Sequence, residues 1–304
     1  MIDPAPTARK ARLRASEWTL ILALGAMSVV AWLNSQSIPM STRASLVTVG
    51  LLFGVSALAL GEGQQGWKHW FKELLPVPVV PFIFLNLGKL IPLVNPRVFD
   101  EELEAWDRVL LGAEAQAALY DLPLPAWFAD TLTIAYSTFF FFGIVLVVTL
   151  AARRDPFLPH VTAAVVITFV VSYAGYFVVP AYGPRATVAL ERYASLPTGL
   201  VGAPLRDLLD NWEKTKTDAF PSGHTMVTLA VLFCLRRRAR GVYDAVLPVG
   251  ALLILATVLL TYHYVVDVLA ALPLTALSLA IAAAAAGPIP AAPRPPRRHL
   301  PPQR

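Results

Sequence analysis

The sequence predicts an all-α, polytopic integral membrane helix bundle with about eight transmembrane helices and both chain ends in the cytoplasm. Three observations lead there. Hydrophobic residues fill 56% of the 304 positions and charged residues only 15%, against about 25% charge in a soluble domain, and the mean hydropathy is +0.59. The apolar residues gather in runs near the ~20 residues that a helix needs to cross a bilayer. The lysines and arginines collect in short clusters between these runs.

In chain order the runs are residues 18–33, 44–61, 76–94, 127–151, 161–181, 220–235, 246–262 and 264–286. Arg9, Lys10, Arg12 and Arg14 precede the first and resemble a signal-peptide start, but no small-x-small cleavage site follows, so a retained helix is expected. Pro76, Pro78, Pro81 and Pro92 interrupt the third, and Lys89 within it must snorkel or find a partner; a kinked or re-entrant segment fits there. In residues 100–122, Leu103, Trp106, Leu110 and Leu111 lie among acids, the pattern of an interfacial amphipathic helix that either packs on the bundle or serves lipid access. The division expected is 1–126 for amino-terminal spans and an extracytoplasmic amphipathic linker, 127–286 for a catalytic bundle, and 287–304 for a disordered Pro/Arg-rich tail.

If all eight runs cross, the amino tail, Lys68 with Lys72, Arg153 with Arg154, the cluster from Arg236 to Arg240, and Arg294, Arg297 and Arg298 share one side. The positive-inside rule makes that side cytoplasmic. A multi-pass protein of the plasma (inner) membrane follows, with the lipid bilayer as its partner. His224 and His263 then face the extracytoplasmic side, and His69, His160 and His299 the other. The net charge of +5 is spread over membrane-flanking clusters without a nucleic-acid motif, so no nucleic-acid partner is expected. A single cysteine, Cys234, rules out a disulfide within the chain.

The chemistry concentrates in Asp218-Ala-Phe-Pro-Ser-Gly-His-Thr225. Ser222 is a good helix N-cap, and the first turn after Gly223 presents free amides, a ready anion site in which His224 can pass a proton to a leaving group. Taken alone, a structural helix start would use the same residues. Some forty residues on, His263 and Asp267 stand i, i+4 on one helix face, where a carboxylate can hold one imidazole nitrogen and free the other. Arg185, behind Gly183 and Pro184, is either an interfacial arginine on a plain turn or a bidentate phosphate ligand. Among the other cations of that loop Lys216 is the best placed helper, while Arg192, Arg206 and Lys214 run with Glu191, Asp207, Asp210 and Glu213 and can simply solvate it.

These residues resemble the type 2 phosphatidic acid phosphatase superfamily, whose signature joins Lys-x6-Arg-Pro, Pro-Ser-Gly-His and Ser-Arg-x5-His-x3-Asp. The second part is complete as Pro221-Ser222-Gly223-His224. The third keeps His263 and Asp267 with Ala256 and Thr257 in place of Ser-Arg; the first is reduced to Arg185, with Ala186 for the proline and Val178 for the lysine. The lost arginine, together with Gly183-Pro-Arg185 and Asp107-Arg-x-x-Leu-Gly112, looks most like the sphingolipid synthase and inositol phosphorylceramide synthase branch. The resemblance implies a phospholipid or lipid phosphate substrate, nucleophilic attack by His263 oriented by Asp267, proton transfer by His224, and binding of the phosphate by Arg185, Ser222, the amide of Gly223 and Lys216. Hydrolysis and transfer of a phospho-headgroup share the first half of that reaction, and a non-catalytic transporter or scaffold on the same bundle is the reading from another class. A helix N-terminus disfavours imidazolium, so His224 would need the substrate's negative charge to hold its proton. No metal and no cofactor are expected, because His263 and Asp267 lack a third and fourth ligand at defined spacing.

Overall fold

The computed structural model describes residues 13–61 and 66–292. The chain runs through α1 (Ala15–Leu33), α2 (Met40–Leu60), α3 (Trp67–Leu74), α4 (Pro76–Val94), α5 (Asp100–Leu111), α6 (Ala113–Asp121), α7 (Ala126–Ser137), α8 (Phe139–Ala152), α9 (Leu158–Val178), α10 (Leu190–Ala194), α11 (Gly202–Trp212), α12 (Gly223–Arg238), α13 (Arg240–Leu259) and α14 (Val265–Ala286). Among the described residues there is no strand, and the all-α polytopic class holds.

Six of these helices are long and apolar enough to cross a membrane, counting α3 with α4, and α7 with α8 makes a seventh if that bent pair is one span. The expected eighth, residues 220–235, is the 16-residue α12, which falls short of the other spans. It compensates by position. Val227, Ala230, Val231, Cys234 and Leu235 are fully buried among its neighbours, so α12 needs no lipid-facing length.

The break falls elsewhere than the prolines suggest. α4 is a continuous 19-residue helix, with Pro76 at its first position, where the missing N–H costs nothing, and Pro81 and Pro92 inside it. Lys89 donates to the Thr42 hydroxyl at 3.2 Å. Instead the Phe-rich run, which lacks an internal proline, bends by 49° between α7 and α8. There Ser137 Oγ and Thr138 Oγ1 bond back to the carbonyls of Ile134 and Ala135 at 2.7 and 2.6 Å, competing with the helix ladder.

α9 is the shared wall of two packed groups. Its Val166, Tyr173 and Tyr176 pack against α1, α2 and α4, while Val161, Ala164 and Ile167 pack against α8, α12 and α14. Leu22, Val29, Leu51, Leu52 and Val55 stay exposed on α1 and α2, as an apolar solvent permits.

The two ends of the bundle have different chemistry. One gathers Arg14, His69, Lys72, Glu73, Arg154 and Asp155 around a cavity of about 490 Å³, and Gly287 there packs against His160. Of the expected disordered tail, residues 287–292 are held: Arg237 and Arg238 donate to the carbonyls of Ile289 and Pro290, and the Ala292 amide to the Arg237 carbonyl. Arg9, Lys10, Arg12, Arg294, Arg297, Arg298 and His299 lie outside the described residues. His224 and His263 are at the opposite end.

Candidate active site

α12 begins as its sequence dictates. Ser222 is the N-cap, in extended backbone conformation, and its hydroxyl accepts the Thr225 amide at 3.3 Å. The Ser222 hydroxyl is thus engaged in the cap and also lies 3.0 Å from Thr225 Oγ1. Gly223 is required by close approach, because a Cβ there would fall on the Tyr176 hydroxyl. That leaves His224 in the first turn, its ring between Tyr136 and Phe139 at centroid distances of 4.4 and 4.2 Å. Both neighbours flank the bend at Thr138.

His263 arrives from the other side, in the short connection between α13 and α14. Its Nε2 stands 3.5 Å from His224 Nδ1, so two imidazoles 39 positions apart in the chain face each other. Nδ1 sits 2.7 Å from the Ala219 carbonyl and 3.4 Å from Asp267 Oδ2. A carbonyl only accepts, so Nδ1 carries the proton and Nε2 presents its lone pair toward His224. Burial, joined by the charge of Arg185 and opposed by the Ala219 bond, lowers the His263 pKa to about 4, which keeps the ring neutral. The nearest partner of the imidazole is therefore a backbone carbonyl, with the carboxylate just behind it. Asp267 Oδ2 also accepts the Tyr264 amide at 2.8 Å, and its backbone carbonyl takes the Ser222 amide at 3.2 Å, tying the starts of α12 and α14 together.

Arg185 is buried and caps an aromatic column. Its guanidinium lies 4.3 Å over the Tyr262 ring, Tyr262 stacks on Tyr136 at 4.2 Å, and Tyr136 stacks on His224. The turn that aims it depends on Gly183, whose φ of +87° suits glycine and where a Cβ would strike the Tyr262 carbonyl. The guanidinium bonds Asp210 at 3.0 Å and Glu213 more closely. Lys216 is exposed, donates to the Asp210 carbonyl at 2.8 Å and stands 3.8 Å from Glu213. Burial pushes the Asp218 carboxyl well above its usual range; Glu213 adds to that shift and Arg185 opposes it.

All seven residues expected from the sequence lie at this end of the bundle, but the immediate contacts differ. His224, His263 and Asp267 meet directly, and Arg185 joins through Tyr262 and Tyr136; Ser222 and Gly223 serve the start of α12, and Lys216 stays at the rim. The signature says nothing of Tyr136, of the Ala219 carbonyl or of the carboxylates on Arg185. It is equally silent on Asp100 and Asp107 of α5, whose oxygens reach the two site loops: Asp100 takes the amides of Tyr182 and Gly183, and Asp107 those of Val265 and Val266.

The fold and the site together define an all-α membrane helix bundle with a pair of imidazoles at one end, backed by a carboxylate and a buried arginine. Residues 101–281 match the family model described as the PAP2 superfamily, and this chain belongs to that superfamily. The match begins inside α5 and takes in Asp107, while Asp100 stands one residue ahead of it. A PA-phosphatase related-family protein of Dictyostelium discoideum is 34% identical over 116 residues, 37% of this chain and 21% of that protein. The chain spans about a fifth of the length of this curated relative. No solved structure matches. Membership supports a function of the lipid phosphatase type, by a phosphatase or phosphotransferase, on a multi-pass membrane scaffold.

Proposed function

We propose that this protein processes a lipid phosphoester through a phosphohistidine at the extracytoplasmic face of the plasma membrane. His263 Nε2 attacks phosphorus, the bond from phosphorus to the departing alcohol breaks, and His224 supplies the proton that the alcohol takes away. In the second half, water or a lipid alcohol gives its proton to His224 as its oxygen attacks phosphorus. The nitrogen–phosphorus bond then breaks and His263 is restored. Arg185 stabilises the equatorial oxygens, with Lys216 and the start of α12 as helpers. The 3.5 Å approach of the two imidazoles, with His263 Nδ1 already bonded to Ala219, carries this reading. The side of the membrane is argued from the cations gathered at the other end.

A second reading, inositol phosphorylceramide synthase-like transfer of a phospho-headgroup to a lipid alcohol, draws on the charge around Arg185. Asp210 and Glu213 already bond the guanidinium, and Val178, Ala256 and Thr257 add no cation, so a doubly charged monoester meets little net positive charge. Purified protein incubated with headgroup-labelled phosphatidic acid or phosphatidylinositol, with and without diacylglycerol or ceramide, decides between the two. Free phosphate from phosphatidic acid, or inositol phosphate from phosphatidylinositol, marks hydrolysis, and a new phospholipid marks transfer. An acid-labile label on His263 is expected in both; turnover that survives His263→Ala would refute the phosphohistidine, and no turnover of any lipid phosphoester would leave the transporter or scaffold.

A further inference from the structure

α5 supplies neither imidazole, yet both loops that carry the site are fastened to its buried face. Asp107 is fully buried, and its two oxygens accept the amides of Val265 at 2.8 Å and Val266 at 2.7 Å. These residues open α14, where amides have no acceptor within the helix. Tyr264 holds the N-cap place and has no short side chain to take them. Asp107 therefore caps α14 from a helix 158 positions away in the chain. Asp100, seven residues earlier and on the same face of α5, accepts the Tyr182 amide at 3.0 Å, the Gly183 amide at 2.8 Å and the Tyr264 hydroxyl at 3.1 Å. One carboxylate thus grips the chain just after His263, and the other grips it just before Arg185.

We propose that Asp107 and Asp100 are positioning residues for the reaction: by accepting backbone amides, α5 sets where His263 and Asp267 stand relative to Arg185, and turnover depends on that setting. The rate claim rests on the reading of His263 as nucleophile. A carboxylate at a helix start also complements the dipole, so the hold on α14 is both geometric and electrostatic. Neither aspartate reaches the reacting atoms. Their effect passes through the backbone, where a shift of about 1 Å at the reacting groups lowers a rate by about 100-fold.

The test compares wild type, Asp107→Asn, Asp107→Ala and Asp100→Ala, each as full-length protein in phosphatidylcholine vesicles carrying phosphatidic acid or phosphatidylinositol. Hydrogen–deuterium exchange is followed on peptides covering residues 262–268 and 180–186, alongside kcat, KM and melting temperature. Asp107→Ala should speed exchange at residues 264–267 by about tenfold or more and leave peptides of α9 and α12 unchanged. It should lower kcat by about 100-fold with KM within about threefold. Asp107→Asn keeps one acceptor oxygen and should fall between wild type and Asp107→Ala on both measures. Asp100→Ala should deprotect residues 180–186 instead. Unchanged exchange at 264–267 in Asp107→Ala, or kcat within about twofold of wild type, overturns the proposal. So does a uniform loss of protection in every helix, which would make Asp107 a residue of the fold at large. Exchange needs no substrate: a wild type without turnover sinks the functional reading by itself, while the peptides still decide whether Asp107 holds the loop.

Discussion

The two ends of the bundle spend their buried carboxylates differently. At the basic end each one faces a cation: Asp155 takes the Arg238 guanidinium through several bonds near 2.9 Å, Glu17 takes Lys72 at 2.7 Å, and Glu73 takes Arg14 at 2.9 Å. At the histidine end Asp100, Asp107 and Asp267 take backbone amides, as does Asp130, which receives Gly199 and Val201 at 3.0 and 3.2 Å. The first arrangement ties elements together by ion pairs, although Glu17 and Asp155 each also take one amide, from Arg14 and Phe157. The second fixes irregular chain, satisfying amides that no helix ladder reaches, and brings no extra cation toward the imidazoles.

If that contrast is functional, damage at the two ends should separate rate from stability. The largest effect belongs to the imidazoles: His263→Ala and His224→Ala should each lower turnover by on the order of 10⁴-fold, and the double variant should lose little more than the worse single, since the proposed mechanism makes the pair act as a unit. Rates of the four proteins on one lipid phosphoester check this, and fully multiplicative losses would mean that the two histidines act separately. At the other end, Asp155→Ala leaves the buried Arg238 guanidinium without its carboxylate and should cost about 3–5 kcal/mol in denaturant unfolding in mixed micelles, with turnover per folded molecule held within about twofold. A large loss of turnover without a loss of stability would erase the distinction between the ends. Arg185→Lys comes next, at about 100-fold in turnover, because an ammonium cannot bridge Asp210 and Glu213 while lying flat on Tyr262.

Much of the histidine end was legible in the sequence, and the reason is local spacing. Ser222 before Gly223 marks a helix start, and His263 with Asp267 marks one helix face; both patterns are fixed within a turn of chain. The bend at Thr138 left a fainter trace, because hydroxyl bonds back to the ladder break a span without a proline, whereas Pro76 only divides α3 from α4 at Leu75, which keeps helical dihedrals. Asp107 left no pattern of its own as a cap, because its partners are backbone amides 158 and 159 positions away and any residue can supply an amide. The same holds for the Ala219 carbonyl. Arg185 was legible as a cation behind a glycine turn, but its bonds to Asp210 and Glu213 form across a loop whose acids look, in sequence, like surface charge.

The smallest effect tests whether the neutral state of His263 belongs to the folded protein. Its pKa falls from an ordinary 6.5 to about 4, first because the ring is buried. Below pH 6.5 the unfolded chain therefore takes up a proton that the folded chain refuses, so the stability due to this group is complete above that value and is lost as the pH drops toward 4. Linkage places the loss between pH 7 and pH 5 at about 2 kcal/mol. Unfolding free energies of wild type and His263→Gln in mixed micelles, compared across that interval, should differ in slope by this amount, with wild type the steeper; every other titrating group is common to both proteins and cancels. Parallel curves would mean that the ring is as easily protonated in the fold as in water. The role proposed for the histidine end would then need something other than a dry, carbonyl-held imidazole.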